Sequence, residues 1–94
     1  MLRVYSDGGS RGNPGPSAYG VVITEGGKVI HEESEFLGVM TNNQAEYRGL
    51  IAGIRKVLDL GAEEAEFIMD SQLVIKQMNG EYRVKAPGLI GHKP

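Results

Sequence analysis

Thr41-Asn42-Asn43-Gln44-Ala45-Glu46-Tyr47-Arg48-Gly49-Leu50 opens the stretch on which the reading of this chain turns. Thr41 with Gln44 three residues later fits a capping box, in which a hydroxyl and a side-chain amide satisfy backbone groups that a helix start leaves open. Tyr47, Leu50, Ile51, Ile54, Val57 and Leu58 then recur at helical spacing, with Arg48, Arg55 and Asp59 opposite them. Gly61 stands where a C′ glycine ends a helix. The pattern predicts an amphipathic helix from Thr41 to the residue before Gly61. Glu46 falls about 80° from the centre of its apolar face, at the margin.

Upstream of the helix the period changes. Val29 to Leu37 reads as a strand whose Glu32, Glu33 and Glu35 mark an edge with one wet face. Gly26-Gly27 suits a two-residue hairpin turn, since both central positions of a type I′ turn need φ > 0. Ala18 to Thr24 is the strand before that turn, with Tyr19, Val21, Val22 and Ile23 as its β-rich core. Leu2 to Ser6 is a short strand running into Asp7, and Gly8 to Pro16 reads as a loop because its Gly and Pro residues interrupt regular structure.

Downstream, Ala65 to Met69 is a short apolar strand. Asp70 or Ser71 caps a predicted second helix, with Leu73, Val74 and Met78 on one face and Gly80 at its end. From Glu81 onward, Pro87, Gly88, Gly91 and Pro94 predict an irregular tail over residues 81–94. The order β, β-hairpin, α, β, α predicts one α/β domain over residues 1–94. Its sheet is mixed, because a strand, helix and strand in succession make a parallel crossover, and helices pack on it.

Composition excludes several classes. Ninety-four residues make one domain at most. There are no cysteines, so disulfides, thiolate zinc sites and thiol catalysis are excluded. Ten Lys+Arg against twelve Asp+Glu give a net charge of −2, which argues against a polybasic nucleic-acid binder. No apolar run reaches membrane-spanning length and the N-terminus has no apolar signal region, so the expectation is a cytoplasmic protein without a membrane partner.

Three acids stand at special places. Asp7 ends the first strand and Asp70 the fourth. If those strands are parallel neighbours, both acids share the carboxyl edge of the sheet, where ligands of open α/β sheets bind. A helix packed on the sheet aims Glu46 toward the same edge. Plain alternatives exist: Asp70 as an N-cap, Glu46 as a first-turn acid, Asp7 as a turn residue. Converging carboxylates repel one another, and Mg²⁺ or Mn²⁺ with hard oxygen ligands would relieve that repulsion. Two such ions about 3.5–4 Å apart make a phosphoryl-transfer site.

The sequence around the acids resembles a known family. Tyr5-Ser6-Asp7-Gly8-Gly9-Ser10-Arg11-Gly12-Asn13-Pro14-Gly15 is similar to the opening motif of type 1 ribonuclease H, Thr41-Asn42-Asn43-Gln44-Ala45-Glu46 to its second, and Asp70-Ser71-Gln72 with Leu73-Val74 to its third. The motifs keep family order, and the resemblance runs from residue 2 to residue 87. It implies the ribonuclease H-like fold, a five-stranded mixed sheet with helices on both faces. It implies endonucleolytic cleavage of the RNA strand of an RNA/DNA hybrid with two divalent ions, Mg²⁺ or Mn²⁺. Asp7, Glu46 and Asp70 would be the catalytic metal ligands, with Gly8 in the same set. Gly8, Gly9, Asn13, Asn42, Asn43 and Gln72 would meet the hybrid and its 2′-hydroxyls, and Thr41 a DNA-strand phosphate. Chemistry agrees with that implication. The 2′-hydroxyl both donates and accepts, and so do Asn, Gln and the peptide group, whereas Lys and Arg cannot accept.

The resemblance also has a gap. The family continues with a fifth strand, a histidine loop and a last helix carrying a fourth carboxylate. Here the only acid after Asp70 is Glu81, and His92 sits in a Gly-His-Lys-Pro ending. The expectation is therefore a C-terminally shortened domain of weakened activity. Its rivals are a hybrid-binding module without turnover and a chain that needs a partner segment. An uncovered sheet edge or face would favour a homodimer. Lys76, Arg83 and Lys85 offer modest phosphate contacts at most.

Overall fold

The computed structural model describes residues 1–68, 73–78 and 81–85. β1 (Leu2–Ser10), β2 (Gly15–Glu25) and β3 (Lys28–Met40) form an antiparallel meander. α1 (Asn42–Asp59) crosses over to β4 (Glu64–Ile68), which runs parallel to β1 from Leu2↔Ala65 to Tyr5↔Ile68. β5 (Leu73–Met78) and β6 (Glu81–Lys85) complete a mixed sheet of order β3-β2-β1-β4-β5-β6.

Strand alternation places the core. Leu2 and Val4 of β1, Tyr19, Val21 and Ile23 of β2, and Ala65 and Phe67 of β4 are all buried on one face, under Val57 of α1. Their period of two is that of strands with one face covered. Among the described residues α1 is the only helix, and the opposite sheet face carries none.

The predicted helix start is present in full. Thr41 Oγ1 accepts from the Gln44 N–H at 3.2 Å, and Gln44 Oε1 accepts from the Thr41 N–H at 2.9 Å. The helix ends in a Schellman pattern: the Gly61 N–H donates to Leu58 O at 3.0 Å and the Ala62 N–H to Val57 O at 3.3 Å. At the hairpin, Gly26 and Gly27 both have positive φ, 59° and 82°, as the turn requires. β3 is an edge strand, as its acids suggested.

Several expectations are corrected. The buried stripe of α1 is Ala45, Gly49, Gly53 and Val57, while Tyr47, Ile51 and Leu58 are 67%, 44% and 45% exposed. Small residues win this face because the helix lies close to the sheet: a Cβ on Gly53 would stand 3.0 Å from both Phe67 and Val4. Gly8 to Ser10 belong to β1, since Gly8↔Tyr19, Gly9↔Ala18 and Ser10↔Ser17 continue the ladder with β2. β2 begins at Gly15 and β3 reaches Met40, with register shifts at Ser17/Ala18 and Ile23/Thr24. The predicted second helix is instead strand over Leu73–Met78, pairing from Glu64↔Lys76 to Phe67↔Leu73 along the otherwise open edge of β4. The predicted tail is likewise strand over Glu81–Lys85, paired with β5.

Candidate functional site

Asp7 lies two positions beyond the last β1–β4 pair, Tyr5↔Ile68, and opposite Gly20 of β2. Its neighbour Ser6 faces α1, where the Ser6 Cβ is 3.8 Å from the place a Cβ on Gly49 would take. Alternation therefore sends the Asp7 side chain to the other sheet face. There it is exposed, and with Tyr5, Val22, Glu32, Ser34 and Ile68 it lines an open depression of about 820 Å³.

Glu46 is exposed in the second turn of α1. At 3.6 residues per turn it lies about 40° from the centre of the buried stripe. The strand end and the helix start meet at Gly8. A Cβ added there would fall 2.2 Å from the Ala45 carbonyl oxygen and 2.8 Å from the Glu46 nitrogen. One turn later, a Cβ on Gly49 would stand 3.6 Å from the Asp7 carbonyl oxygen. The backbones carrying Asp7 and Glu46 thus pack directly on one another. Only a residue without a side chain fits between them, which explains the glycine that follows Asp7.

The glycine-rich segment is tied to the same helix start. Asn42 Oδ1 accepts from the Ser10 N–H at 3.2 Å, and the Asn42 N–H donates to Asn13 Oδ1 at 3.0 Å. A Cβ on Gly9 would stand 3.4 Å from Asn42 Oδ1. The segment closes on itself through Arg11 N–H to Pro16 O at 2.8 Å and through a Ser10 hydroxyl bond to Gly12 O. Thr41 is the helix cap, and its hydroxyl proton stays available to a ligand. Asn43 is exposed, and its side chain makes no hydrogen bond to a described residue. The structure therefore gathers Gly8, Gly9, Asn13, Thr41, Asn42, Asn43 and Glu46 at one junction with the backbone of Asp7, whose side chain lies on the other sheet face. Asp70, Gln72 and His92 lie outside the described residues.

Sequence reasoning missed two features. One is Ser10, whose backbone N–H is the loop's point of attachment to Asn42. The other is a titratable cluster between β2 and β3. The buried Tyr19 hydroxyl lies 3.0 Å from Glu33 Oε2 and 3.0 Å from Glu35 Oε2, and donates its single proton between them. His31 Nε2 is 2.8 Å from Glu33 Oε1. Burial, with these two acceptors, pushes the Tyr19 phenol well above its ordinary range. The His31 hydrogen bond, aided by Tyr19, holds Glu33 below the ordinary carboxylate range against its desolvation. The three glutamates in β3 marked an edge, but a strand pattern does not say that a buried tyrosine beneath reaches two of them.

Among the described residues no group of three or more histidines and acids is placed to hold a metal ion, and no described helix is long and apolar enough to cross a membrane.

Comparison with known proteins adds an independent line. A family described as reverse transcriptase-like matches residues 5–90. The chain is 51% identical over 89 residues to a bifunctional protein of Mycobacterium tuberculosis, a match covering 93% of this chain and 24% of that protein. It is 45% identical over 89 residues to ribonuclease HI of Halobacterium salinarum, covering 94% of this chain and 45% of the relative. Among solved structures, the N-terminal ribonuclease H domain of the mycobacterial protein matches with a TM-score of 0.71 and 49% identity, over 96% of this chain and 70% of that one. LC11 ribonuclease H1 in complex with an RNA/DNA hybrid matches with a TM-score of 0.69 and 43% identity, over 76% of this chain and 55% of that one. The chain thus spans from about a quarter to just under half the length of these two curated relatives.

Proposed function

Since the chain belongs to the type 1 ribonuclease H family, we propose that it is an endonuclease hydrolysing the RNA strand of RNA/DNA hybrids. A single observation carries the proposal: Gly8 seats the Asp7 strand against the backbone of Glu46, so the backbones that carry these two exposed acids meet beside the loop and helix residues suited to ribose and phosphate. The hybrid bound by LC11 ribonuclease H1 supports the same substrate class.

The donor chemistry of these residues suits a divalent metal. The donors are carboxylates and, at Gly8, a backbone carbonyl, all hard oxygens suited to Mg²⁺ or Mn²⁺. Asp7, Glu46 and Asp70 would hold the metal, and a pair of such ions supplies water activation and stabilisation of the leaving oxygen. The rest is done by the chain. Gly9 lets the backbone approach the ribose. Asn43, Asn42, Asn13 and Gln72 offer amides to 2′-hydroxyls and base edges. Thr41, already fixed as a cap, presents its hydroxyl proton to a phosphate.

The test is cleavage of a labelled hybrid by the purified 94-residue chain in Mg²⁺ and in Mn²⁺, beside Asp7→Asn and a DNA duplex control. We expect RNA-strand cleavage, reduced at least about a hundredfold in the variant. That is the upper range for losing a mere supporter of a metal ligand. Hybrid binding that persists in EDTA without cleavage in either metal would make the chain a binding module instead. The β3 edge and the sheet face away from α1 also suit a homodimer. Light scattering that gives a mass near 10.2 kDa would remove that part of the proposal.

A further inference from the structure

We infer that Asn42 and Asn13 form a staple that positions the Asp7 strand end on the Glu46 helix start, and that Asn43, the other asparagine of the pair, carries no part of it. The division of labour rests on the hybrid-cleavage reading above; the staple itself does not.

The adjacent asparagines look equivalent in the sequence, and the structure separates them. Asn42 is bonded at two of its atoms. Its side-chain oxygen takes the Ser10 N–H at 3.2 Å, and its own N–H goes to Asn13 Oδ1 at 3.0 Å. The second bond has a clear physical motive. Asn42 is the first residue of α1, and its N–H is among the four that no helix carbonyl can satisfy. The local cap, Thr41, is committed to Gln44, so the glycine-rich segment brings the acceptor from far away in the chain. Ser10 and Asn13 are the two sides of that segment, and both end on one helix residue.

The consequence reaches the carboxylates. Ser10 is three residues along the extended β1 from Asp7, and Asn42 is one helical turn before Glu46. A shift at the staple moves both backbones. Gly8 sets how close strand and helix can come, and the staple sets where along each other they stop. The Asn43 side chain, exposed and without a hydrogen-bond partner among the described residues, carries no such duty. Asn42 and Asn13 therefore position the junction through their side-chain oxygens, in addition to the amide nitrogens they offer to the hybrid, whereas Asn43 has the contact role alone.

The experiment is amide hydrogen exchange by NMR on the 94-residue chain. Wild type is compared with Asn42→Ala, Asn42→Asp, Asn13→Ala and Asn43→Ala, each checked for folding by circular dichroism. Asn42→Ala should speed exchange of the Ser10 amide about fivefold to tenfold, the range of one lost hydrogen bond. Asn13→Ala should do the same at the Asn42 amide. Asn42→Asp keeps an acceptor oxygen and should restore protection of Ser10, whereas Asn43→Ala should change neither amide. In hybrid cleavage, Asn42→Ala should lower kcat more than it raises KM, and Asn43→Ala should do the reverse. Unchanged Ser10 exchange in Asn42→Ala, or a loss confined to KM in that variant, would overturn the staple. The exchange arm needs no catalysis, so a chain that fails to cleave sinks the functional reading while the staple is judged on its amides alone.

Discussion

The β1–α1 junction and the β2–β3 edge both sit beside the same helix, yet they are held in different ways. At the junction the spacing depends on atoms that are absent: Gly8, Gly49 and Gly53 have no side chains, and the backbones close on one another. At the edge the contact depends on a proton, shared by Tyr19 with Glu33 and Glu35 and backed by His31. Steric fit is stiff and indifferent to pH. A hydrogen-bonded cluster of ionisable groups can loosen without the backbone moving. The stiff contact lies between the backbones that carry Asp7 and Glu46 and the titratable one between β2 and β3, which suits the proposed site, whose ligands must keep their register.

The sharpest way to break this contrast is Gly8→Ala. The new Cβ would overlap the Ala45 carbonyl at 2.2 Å, and the clash is with backbone, which cannot rotate away. We expect a loss of about 3 kcal/mol, at the upper end for overpacking, measured by urea unfolding. Cleavage should fall with it, because strand and helix must separate. A variant with wild-type stability would show that the junction is not sterically set.

Tyr19→Phe tests the other region, and the expected effect is smaller. It removes one proton donor from two half-exposed or exposed carboxylates that water can reach in part, so the cost should be about 1 kcal/mol. The pH dependence follows from the two shifts. Glu33 is held lower in the folded state than its ordinary 4.5, so its contribution is present above that pH and is lost as pH falls through the depressed folded value. Tyr19 is raised, so its contribution is full below the ordinary tyrosine value of about 10 and fades as pH rises beyond it. Thermal unfolding from pH 3 to pH 11 should show both flanks in the wild type. Tyr19→Phe should flatten the alkaline one. An identical alkaline flank in the variant would assign that loss of stability to other groups.

The same contrast explains what could be read in the sequence. Thr41 with Gln44, Gly26-Gly27 and Gly61 act through bonds and dihedrals within a few residues, so their signals survive into the fold. The parallel direction of β4 was legible too, because a strand, a helix and a strand leave few ways to pack, whereas its place beside β1 is set by the sheet order. The buried face of α1 was legible only in part: Val57 is buried and Leu50 and Ile54 pack against the core, but a hydrophobic wheel gives Gly49 and Gly53 no weight although they lie nearest the sheet. Leu73-Val74-Ile75-Lys76-Gln77-Met78 fits a helical face and a strand equally well, and the open edge of β4, a tertiary fact, selects the strand. At the candidate site, the meeting of the strand end at Asp7 and Gly8 with the helix start at Glu46 was legible from spacing and resemblance. The different duties of Asn42 and Asn43 were not, because they depend on which of two neighbouring amides happens to face a distant loop.

The smallest expected effect concerns Ser6, which lies between the two kinds of contact. Its hydroxyl oxygen is buried and has no hydrogen-bond partner among the described residues, and its Cβ sits beside Gly49 under the helix. A buried hydroxyl without a partner has given up its water and gained nothing in return. Ser6→Ala should therefore change stability by no more than about 0.5 kcal/mol, with a small gain the expected sign. If the junction is held by shape alone, cleavage should also be unaffected, since the backbone carrying Asp7 has no reason to move. A loss of more than about 1 kcal/mol would mean that the Ser6 hydroxyl does find a partner in solution. The junction would then be held by hydrogen bonding as well as by fit, and the line between the two regions would be less sharp than their geometry implies.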